Sequence, residues 1–170
     1  MEQLQTTVAQ FSANKEAILQ LLSNLPKEQI HWKPAADKWS LLEIICHLYD
    51  EEREDFRARL MSVLEDAQQP FTPIDPAGWV QSRNYAKQDM KNMLVEFAAE
   101  RDQSVRFLNS LENASWQNTY QHPQIGPMSA KFILANWLAH DYLHIRQIVK
   151  MKYDYLQQAS GESLQYAGNW

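Results

Sequence analysis

Three histidines are the residues of this chain whose type and spacing best suit chemistry. His140 and His144 lie four residues apart in a long apolar segment, and His47 lies in an earlier amphipathic segment. On a helix, this spacing places His140 and His144 on one face, about one turn apart and within reach of a single metal ion. A ligand pair and two ordinary core histidines both fit, and spacing alone favours the core histidines.

The elements that must position these histidines are helices. Apolar residues recurring every three, four and seven positions predict a first helix over about residues 4–25, ended by Pro26. Ser40 and Glu43 match the Ser-x-x-Glu capping box, so a second helix should begin there and continue to about residue 64. His47 therefore lies in the second predicted turn of this helix.

Two more helices follow the same pattern. Asp89 should cap a third helix that reaches about residue 111, and a fourth should start near Ser129 and reach about residue 151. The connection over 66–88 contains three prolines and a glycine, too broken for a helix, and loops of this length are often lids. A second connection covers 112–128, and no segment reads convincingly as a strand. The prediction is an all-α four-helix bundle with a long loop between helices 2 and 3.

Composition narrows the class of protein. With 170 residues, 45% of them hydrophobic, the chain suits one domain over 1–170 with a core of its own. A net charge of −5 without a basic cluster argues against nucleic acid as a partner. The N-terminus lacks a secretion signal, and no apolar run approaches the roughly 20 residues that span a bilayer, so we expect a cytoplasmic protein with no membrane contact. The lone cysteine, Cys46, fits a small core residue better than a fourth metal ligand.

The surroundings of the histidines differ. His140 and His144 share the apolar stripe of the fourth helix, and a buried imidazole nitrogen without a partner costs on the order of 1 to 3 kcal/mol. On a helical wheel, the neighbours of His47 are all acidic. Such a face is typical of a solvated helix surface, and its residues are Glu43, Asp50, Glu51 and Glu54. We expect Glu43 to be held by its capping role.

Asp141 stands where a His-Glu-x-x-His metalloprotease has its general base and is one carbon shorter, which argues against that class. Asp141 points about 100° away from His140 on the helix, so we expect it to tie the fourth helix to another element. No glycine-rich phosphate loop or Gly-x-Ser-x-Gly elbow supports nucleotide or serine-nucleophile chemistry.

Several motifs together resemble the DinB/YfiT-like superfamily. They occur in the order and at the approximate separations of that family and are Leu25-Pro26, Trp32-Lys33-Pro34, Trp39-Ser40-Leu41-Leu42-Glu43-Ile44-Ile45-Cys46-His47-Leu48, His122-Pro123-Gln124-Ile125-Gly126 and Ala139-His140-Asp141-Tyr142-Leu143-His144-Ile145-Arg146-Gln147-Ile148. The resemblance implies an up-down-down-up bundle, often a homodimer, with a divalent metal held by His47, His140 and His144. It also implies a metal-dependent hydrolase, or a transferase that uses a low-molecular-weight thiol.

Three neutral imidazoles on two rigid helices suit Zn²⁺ or Ni²⁺ and leave a coordination position open, as in catalytic sites. Glu51, one turn beyond His47, is the candidate general base or outer-sphere carboxylate. A small-molecule substrate would then occupy a pocket roofed by Phe71, Trp79 and Tyr85 of the long loop, and by the tail over 166–170. Two alternatives stay open: a metal-binding protein without turnover, and a dimeric interaction module without metal.

Overall fold

Four long helical segments carry the fold. The computed structural model describes residues 2–168, with side chains from residue 4 onward. The helices are α1 Glu2–Leu22, α2 Lys27–His31, α3 Leu41–Glu51, α4 Arg57–Glu65, α5 Pro76–Ser82, α6 Met90–Asn109 and α7 Ala130–Ser160, and the strands are β1 Thr119–His122 and β2 Gly126–Ser129. A π-helical segment, Glu52–Phe56, joins α3 to α4 as one continuous helix, and 3₁₀ turns cover Tyr85–Lys87 and Gln165–Ala167.

The helix starts predicted from local chemistry are confirmed. The Ser40 side chain accepts a hydrogen bond from the Glu43 backbone at 3.3 Å, and Glu43 accepts one from the Ser40 backbone at 2.7 Å, which completes the capping box. Asp89 caps α6 and Ser129 caps α7 through their side chains. Each cap satisfies a backbone N–H that has no partner within its helix.

The first and last helices run in the same direction. Asn14 of α1 donates to Asp141 of α7, and Lys152, farther along α7, donates to the backbone carbonyl of Leu21, farther along α1. The second contact lies farther along both helices than the first, so α1 and α7 are parallel neighbours.

The second long helix, α3–α4, runs against α7. His47 lies beside His144, whereas Glu52, five residues later, accepts a hydrogen bond from Trp137, seven residues earlier. The two helices are therefore antiparallel, and His47 meets the middle of α7.

The helix α6 runs parallel to α3–α4. Arg101 binds Glu52, and the later Ser104 receives a hydrogen bond from the later Arg57. The four helices thus form the up-down-down-up bundle that the resemblance implies. Because two consecutive helices are parallel, the segment over 66–88 has to return along the length of the bundle, which explains its length.

The prediction that this crossover contains no helix is wrong. Its α5 begins at Asp75, whose side chain accepts from the Gly78 backbone at 2.9 Å, and Pro76 occupies the first helical position. A proline there sacrifices no hydrogen bond, because that N–H has no intrahelical acceptor. A Cβ at position 78 would collide with the Asp75 carboxylate, so the glycine fits the cap.

The expectation of no strand is also wrong, because the second connection contains β1 and most of β2, which pair antiparallel and end at Ser129. Their turn closes where Gly126 adopts a φ of 87°, and the His122 side chain accepts from the backbone of Gln124 and Ile125 at 3.2 Å. A side chain thus stabilises this turn, and the pattern of alternating hydrophobicity does not predict such a hairpin.

Two helix ends differ from prediction. The first helix stops at Leu22 because Asn24 takes a left-handed conformation with a φ of 55°. The last extends nine residues past 151 to Ser160, where Gly161, at a φ of 69°, forms the left-handed C-cap. No helix in the described range of 2–168 combines the length and apolarity needed to cross a membrane.

Two apolar clusters fill the bundle and a polar layer lies between them. One contains Ile44 and Phe97, and the other contains Phe11 and Trp137. The guanidinium of Arg101 lies 5.0 Å from the ring centroid of Phe11 and 5.2 Å from that of Phe97, so Arg101 contacts both clusters.

Arg101 is the centre of a buried ionic network and is 1% exposed. Its guanidinium donates to both carboxylate oxygens of Asp141 at 2.7 Å and to the two oxygens of Glu52 at 2.7 and 2.9 Å. Trp137 donates to Glu52 at 3.1 Å, and Asn14 donates to Asp141 at 3.1 Å. All four long helices thus meet at one arginine, and Asp141 ties α7 to other elements as predicted.

Replacing Arg101 should destabilise the fold strongly. Arg101→Leu leaves two buried carboxylates without their cation, and breaking such a pair costs about 3–5 kcal/mol of unfolding free energy. Urea denaturation followed by circular dichroism measures the loss. Arg106→Leu, on the exposed face of α6, is the matched control. A loss of stability equal to that of the control would contradict the central role of Arg101.

Candidate metal centre

The three predicted histidines converge through one type of atom. Nε2 of His140 lies 3.3 Å from Nε2 of His47 and 3.0 Å from Nε2 of His144. Among the described residues, this is the group of histidine, cysteine or carboxylate side chains whose ligand atoms lie close enough to hold one metal ion. The cluster, hereafter the histidine triad, is compatible with a metal site.

Two rigid helices set this geometry. His47 stands on the second turn of α3, whose start is held by the capping box, and His140 and His144 lie one turn apart on α7. His47 and His144 are buried, whereas His140 is half-buried. The triad therefore lies just inside the surface of the bundle.

The triad is uncharged at neutral pH. Burial lowers the pKa of His47 to about 3 and that of His140 to about 2, and in both cases nearby imidazoles lower it further. Burial also lowers the pKa of His144. Neutral imidazoles keep a nitrogen lone pair available, which is the form that binds metal ions.

The hydrogen bonds of the triad fit a cation at its centre. Nδ1 of His144 lies 2.8 Å from Oε1 of Gln147, which places the proton on Nδ1 and leaves Nε2 as a bare lone pair. That lone pair faces the Nε2 atoms of the other two imidazoles, which cannot all be satisfied by one another. With bonds of about 2.0 to 2.1 Å, tetrahedral ligand atoms lie about 3.3 Å apart, close to the separations observed.

Glu51 lies beside the other nitrogen of His47. Its Oε1 is 4.0 Å from Nδ1, a buried nitrogen with no hydrogen-bond partner among the described residues. Burial, with the nearby Asp55 carboxylate, raises the pKa of Glu51 to about 8. Glu51 and His47 are thus neutral neighbours rather than an ion pair near pH 7, and the carboxyl group lies on the Nδ1 side of the ring, whereas the triad meets through Nε2.

Two aromatic rings pack against the triad. The ring centroid of Trp39 lies 4.7 Å from that of His47, and the ring centroid of Phe56 lies 5.0 Å from that of His140. Phe56 ends the π-helical segment. Such segments often occur at functional sites, because the wider turn changes which residues face inward.

A cavity of about 640 Å³ opens beside the triad, and His144 and Trp39 are part of its wall. The remaining lining residues come from the segment before α3 and from the second half of α7: Pro34, Lys38, Leu143, Arg146, Gln147, Lys150, Met151 and Asp154. This cavity therefore reaches the triad at His144.

Comparison with known proteins identifies the family. The model of the DinB superfamily matches residues 10–148, a range that includes all three histidines. This chain belongs to the DinB superfamily. A search of curated proteins found no match.

The fold of this DinB-superfamily chain is also that of a solved structure, YfiT from Bacillus subtilis. The likeness has a TM-score of 0.80 at 16% sequence identity and covers 96% of this chain and 90% of YfiT. YfiT is described as a probable metal-dependent hydrolase with an unusual four-helix bundle topology. At this identity the likeness demonstrates the fold.

The prediction that aromatic residues of the long loop cover the site of this DinB-superfamily chain is wrong. Phe71 packs on Tyr120 at 4.2 Å between ring centroids, Trp79 is buried under the Arg83 guanidinium, and Tyr85 donates to Asp50 at 2.5 Å. These contacts hold the crossover elsewhere, so the three aromatics do not line the cavity at His144. Tyr166 of the tail is fully exposed, and Asn169 and Trp170 lie outside the described residues.

The acidic face near His47 is not the solvated surface that its composition suggests. Glu43, Asp50 and Glu51 are at most 5% exposed, as is the neighbouring Glu52, and only Glu54 of the predicted face is half-buried. Each of three has a cation as partner, since Lys33 binds Glu43, Arg83 binds Asp50 and Arg101 binds Glu52. These partners lie outside the helix, from 10 to 49 residues away in sequence, so a helical wheel cannot reveal them.

Cys46 and His122 stay outside the triad. Cys46 is buried, and burial raises the pKa of its thiol to about 12, so it stays protonated, as a core residue should. His122 serves the β-turn described above.

Sequence reasoning missed the roles of Gln147 and Arg101. Gln147 lies three residues after His144, a spacing that meets on a helix. Arg101 occupies an otherwise apolar or small-residue stripe of α6, with Phe97 before it and Leu108 after it. A charge on a buried stripe signals an ionic partner.

The low pKa values predict how acid affects the metal-free protein. A histidine whose folded pKa lies below its unfolded value contributes stability that is complete above about pH 6.5 and is lost as the pH falls from there towards 3. Melting temperatures in EDTA should therefore fall over this window, less steeply in His140→Gln. His31→Gln, an exposed histidine, should follow the wild type. Three parallel curves would contradict the burial of His140 as a neutral imidazole.

Proposed function

We propose that this protein is a metal-dependent enzyme, hydrolase-like in chemistry, that acts on a small molecule. His47, His140 and His144 would hold one divalent ion, Zn²⁺ or Ni²⁺, through Nε2. The convergence of three neutral imidazoles beside an open cavity carries the proposal. The description of the structurally similar YfiT as a probable metal-dependent hydrolase supports it.

The donor set is typical of a catalytic rather than a structural site. Structural zinc sites use four protein ligands, whereas catalytic sites use three and keep a position for water or substrate. A divalent ion held by three uncharged imidazoles supplies Lewis acidity that can polarise a scissile bond and acidify water. Trp39 and Phe56 shield the imidazoles from bulk water, and the cavity at His144 leaves room for a substrate.

A purely structural metal site is less well supported. The Arg101 network already connects all four long helices through buried hydrogen bonds. The bundle therefore does not need an ion to join α3 to α7, and the triad is available for chemistry.

Glu51 fits a positioning role better than that of a general base on the reacting side. When Nε2 of His47 binds an ion, the ring proton must be on Nδ1, the atom that Glu51 approaches at 4.0 Å. A hydrogen bond from Nδ1 to the Glu51 carboxylate would orient the ring and raise its basicity as a ligand. The orphaned Nδ1 would then have its partner.

Metal content tests the proposal most directly. Protein purified without a His-tag should contain about one divalent ion per chain, and His144→Ala should reduce this content at least about tenfold because it leaves two ligands. Elemental analysis gives the content, with His31→Ala as the control. Negligible metal in the wild type, or equal content in wild type and His144→Ala, would refute the proposal.

Substituting Glu51 should have opposite effects on metal binding and stability. Glu51→Gln should weaken metal binding about 10–100-fold, as loss of an outer-shell carboxylate does. The metal-free variant should gain stability relative to wild type between pH 4.5 and 8, because a raised folded pKa makes ionisation of Glu51 unfavourable over that window. Competition with a chelator gives affinity, and thermal melts in EDTA give stability. Unchanged affinity in Glu51→Gln would exclude the positioning role, whereas Glu51→Asp should restore part of it.

A further inference from the structure

The charge of the cavity beside the triad is opposite to that of the chain. The protein carries a net charge of −5, yet the cavity is lined by three cations and one carboxylate. The carboxylate, Asp154, is already bound to Lys150 at 2.5 Å. The remaining positive charge comes from Lys38 and Arg146.

These two cations keep donors for a ligand. No carboxylate of the described chain lies within ion-pair distance of Arg146, which is exposed on α7. Lys38 contacts Asp37 at 3.0 Å, but both side chains are more than half exposed, and such pairs are weak. By contrast, in the groove along α4, Arg57 is bound to Glu100 and Arg59 to Asp55. The cavity at His144 is therefore the better anion site.

The cavity also has an apolar wall next to the triad. The ring of Trp39 lies against His47, and Trp39 and His144 line the cavity together, so a molecule in the cavity can contact both the indole and a histidine of the triad. Leu143, which is 53% exposed, and Met151 add apolar surface. A ligand that fits has an apolar part and an anionic group within reach of Lys38 and Arg146.

We propose that this cavity binds a small organic anion, a carboxylate or a phosphate ester, as the substrate of the proposed metal-dependent reaction. Arg146 offers a planar fork of donors and Lys38 a point charge, which together hold the anionic group away from the triad. Trp39 contacts the apolar part. The positive cavity attracts such substrates to a chain that is otherwise acidic.

Three probes of similar size test this assignment: phenylacetate, phenyl phosphate and benzylamine. Binding is followed by the indole N–H signal of Trp39 in ¹⁵N-correlated NMR spectra, assigned with Trp39→Phe. At least one anion should shift this signal, and benzylamine should not. In Lys38→Gln/Arg146→Gln the dissociation constant of that anion should rise at least about tenfold, as expected for the loss of charge-assisted hydrogen bonds. Preference for one anion distinguishes a carboxylate from a phosphate ester.

Lys91→Gln/Arg106→Gln is the matched control, because it removes the same charge from the exposed face of α6. Equal weakening in both double variants, equal binding of benzylamine, or no shift by either anion would overturn the inference.

Metal content, measured on the same samples, separates this inference from the proposed function on which it rests. Anion binding that fails while the triad still holds metal refutes the inference alone. Wild-type protein without metal refutes the proposed function and, with it, the assignment of the anion as substrate.

Discussion

The bidentate pairing of Arg101 with Asp141 and Glu52 is the constraint on which the rest of this bundle depends. A guanidinium cannot lose its proton inside a protein, so its burial is tolerable only if anions and acceptors surround it. Those partners come from α7 and from the π-helical segment, and they fix the rotation of both helices about their axes. His140 precedes Asp141 directly, and His47 lies five residues before Glu52. The same ionic network that closes the core therefore sets the orientation of the triad.

The residues that stabilise the bundle are thus different from the three histidines of the triad. Buried carboxylates are paired with arginines and with a lysine, while the triad contains neutral imidazoles alone. Glu51 is a buried carboxylate like those of the ionic pairs, but it lies close to His47 of the triad. Its ionisation is unfavourable without a nearby positive charge, and a divalent ion would supply that charge. Burial and a bound ion would thus shift the pKa of the same carboxyl group in opposite directions.

Local chemistry in the sequence predicts a large part of this fold. Caps such as Ser40 and Asp89 mark helix starts because the signal lies within four residues. The His140–His144 pair is equally local. His47 is a third candidate from the sequence, but its acidic helical neighbours favour a solvated surface, and its role as a ligand is implied by the resemblance. The cations that bind these carboxylates lie outside the helix, so the local sequence does not reveal them. The β-hairpin and the π-helical segment escaped prediction for a similar reason: a turn-forming histidine and tertiary packing determine them, rather than periodicity.

The 93-residue separation between His47 and His140 affects how the site comes into being. The pair on α7 forms as soon as that helix does, whereas the third imidazole arrives only when two antiparallel helices dock across the whole intervening chain. Closing so long a loop is slow and entropically unfavourable until native packing compensates for it. Because α3 is synthesised before α7, the three nitrogens can come together only after α7 has been made. A complete triad therefore requires that α7 has been synthesised and has docked against α3.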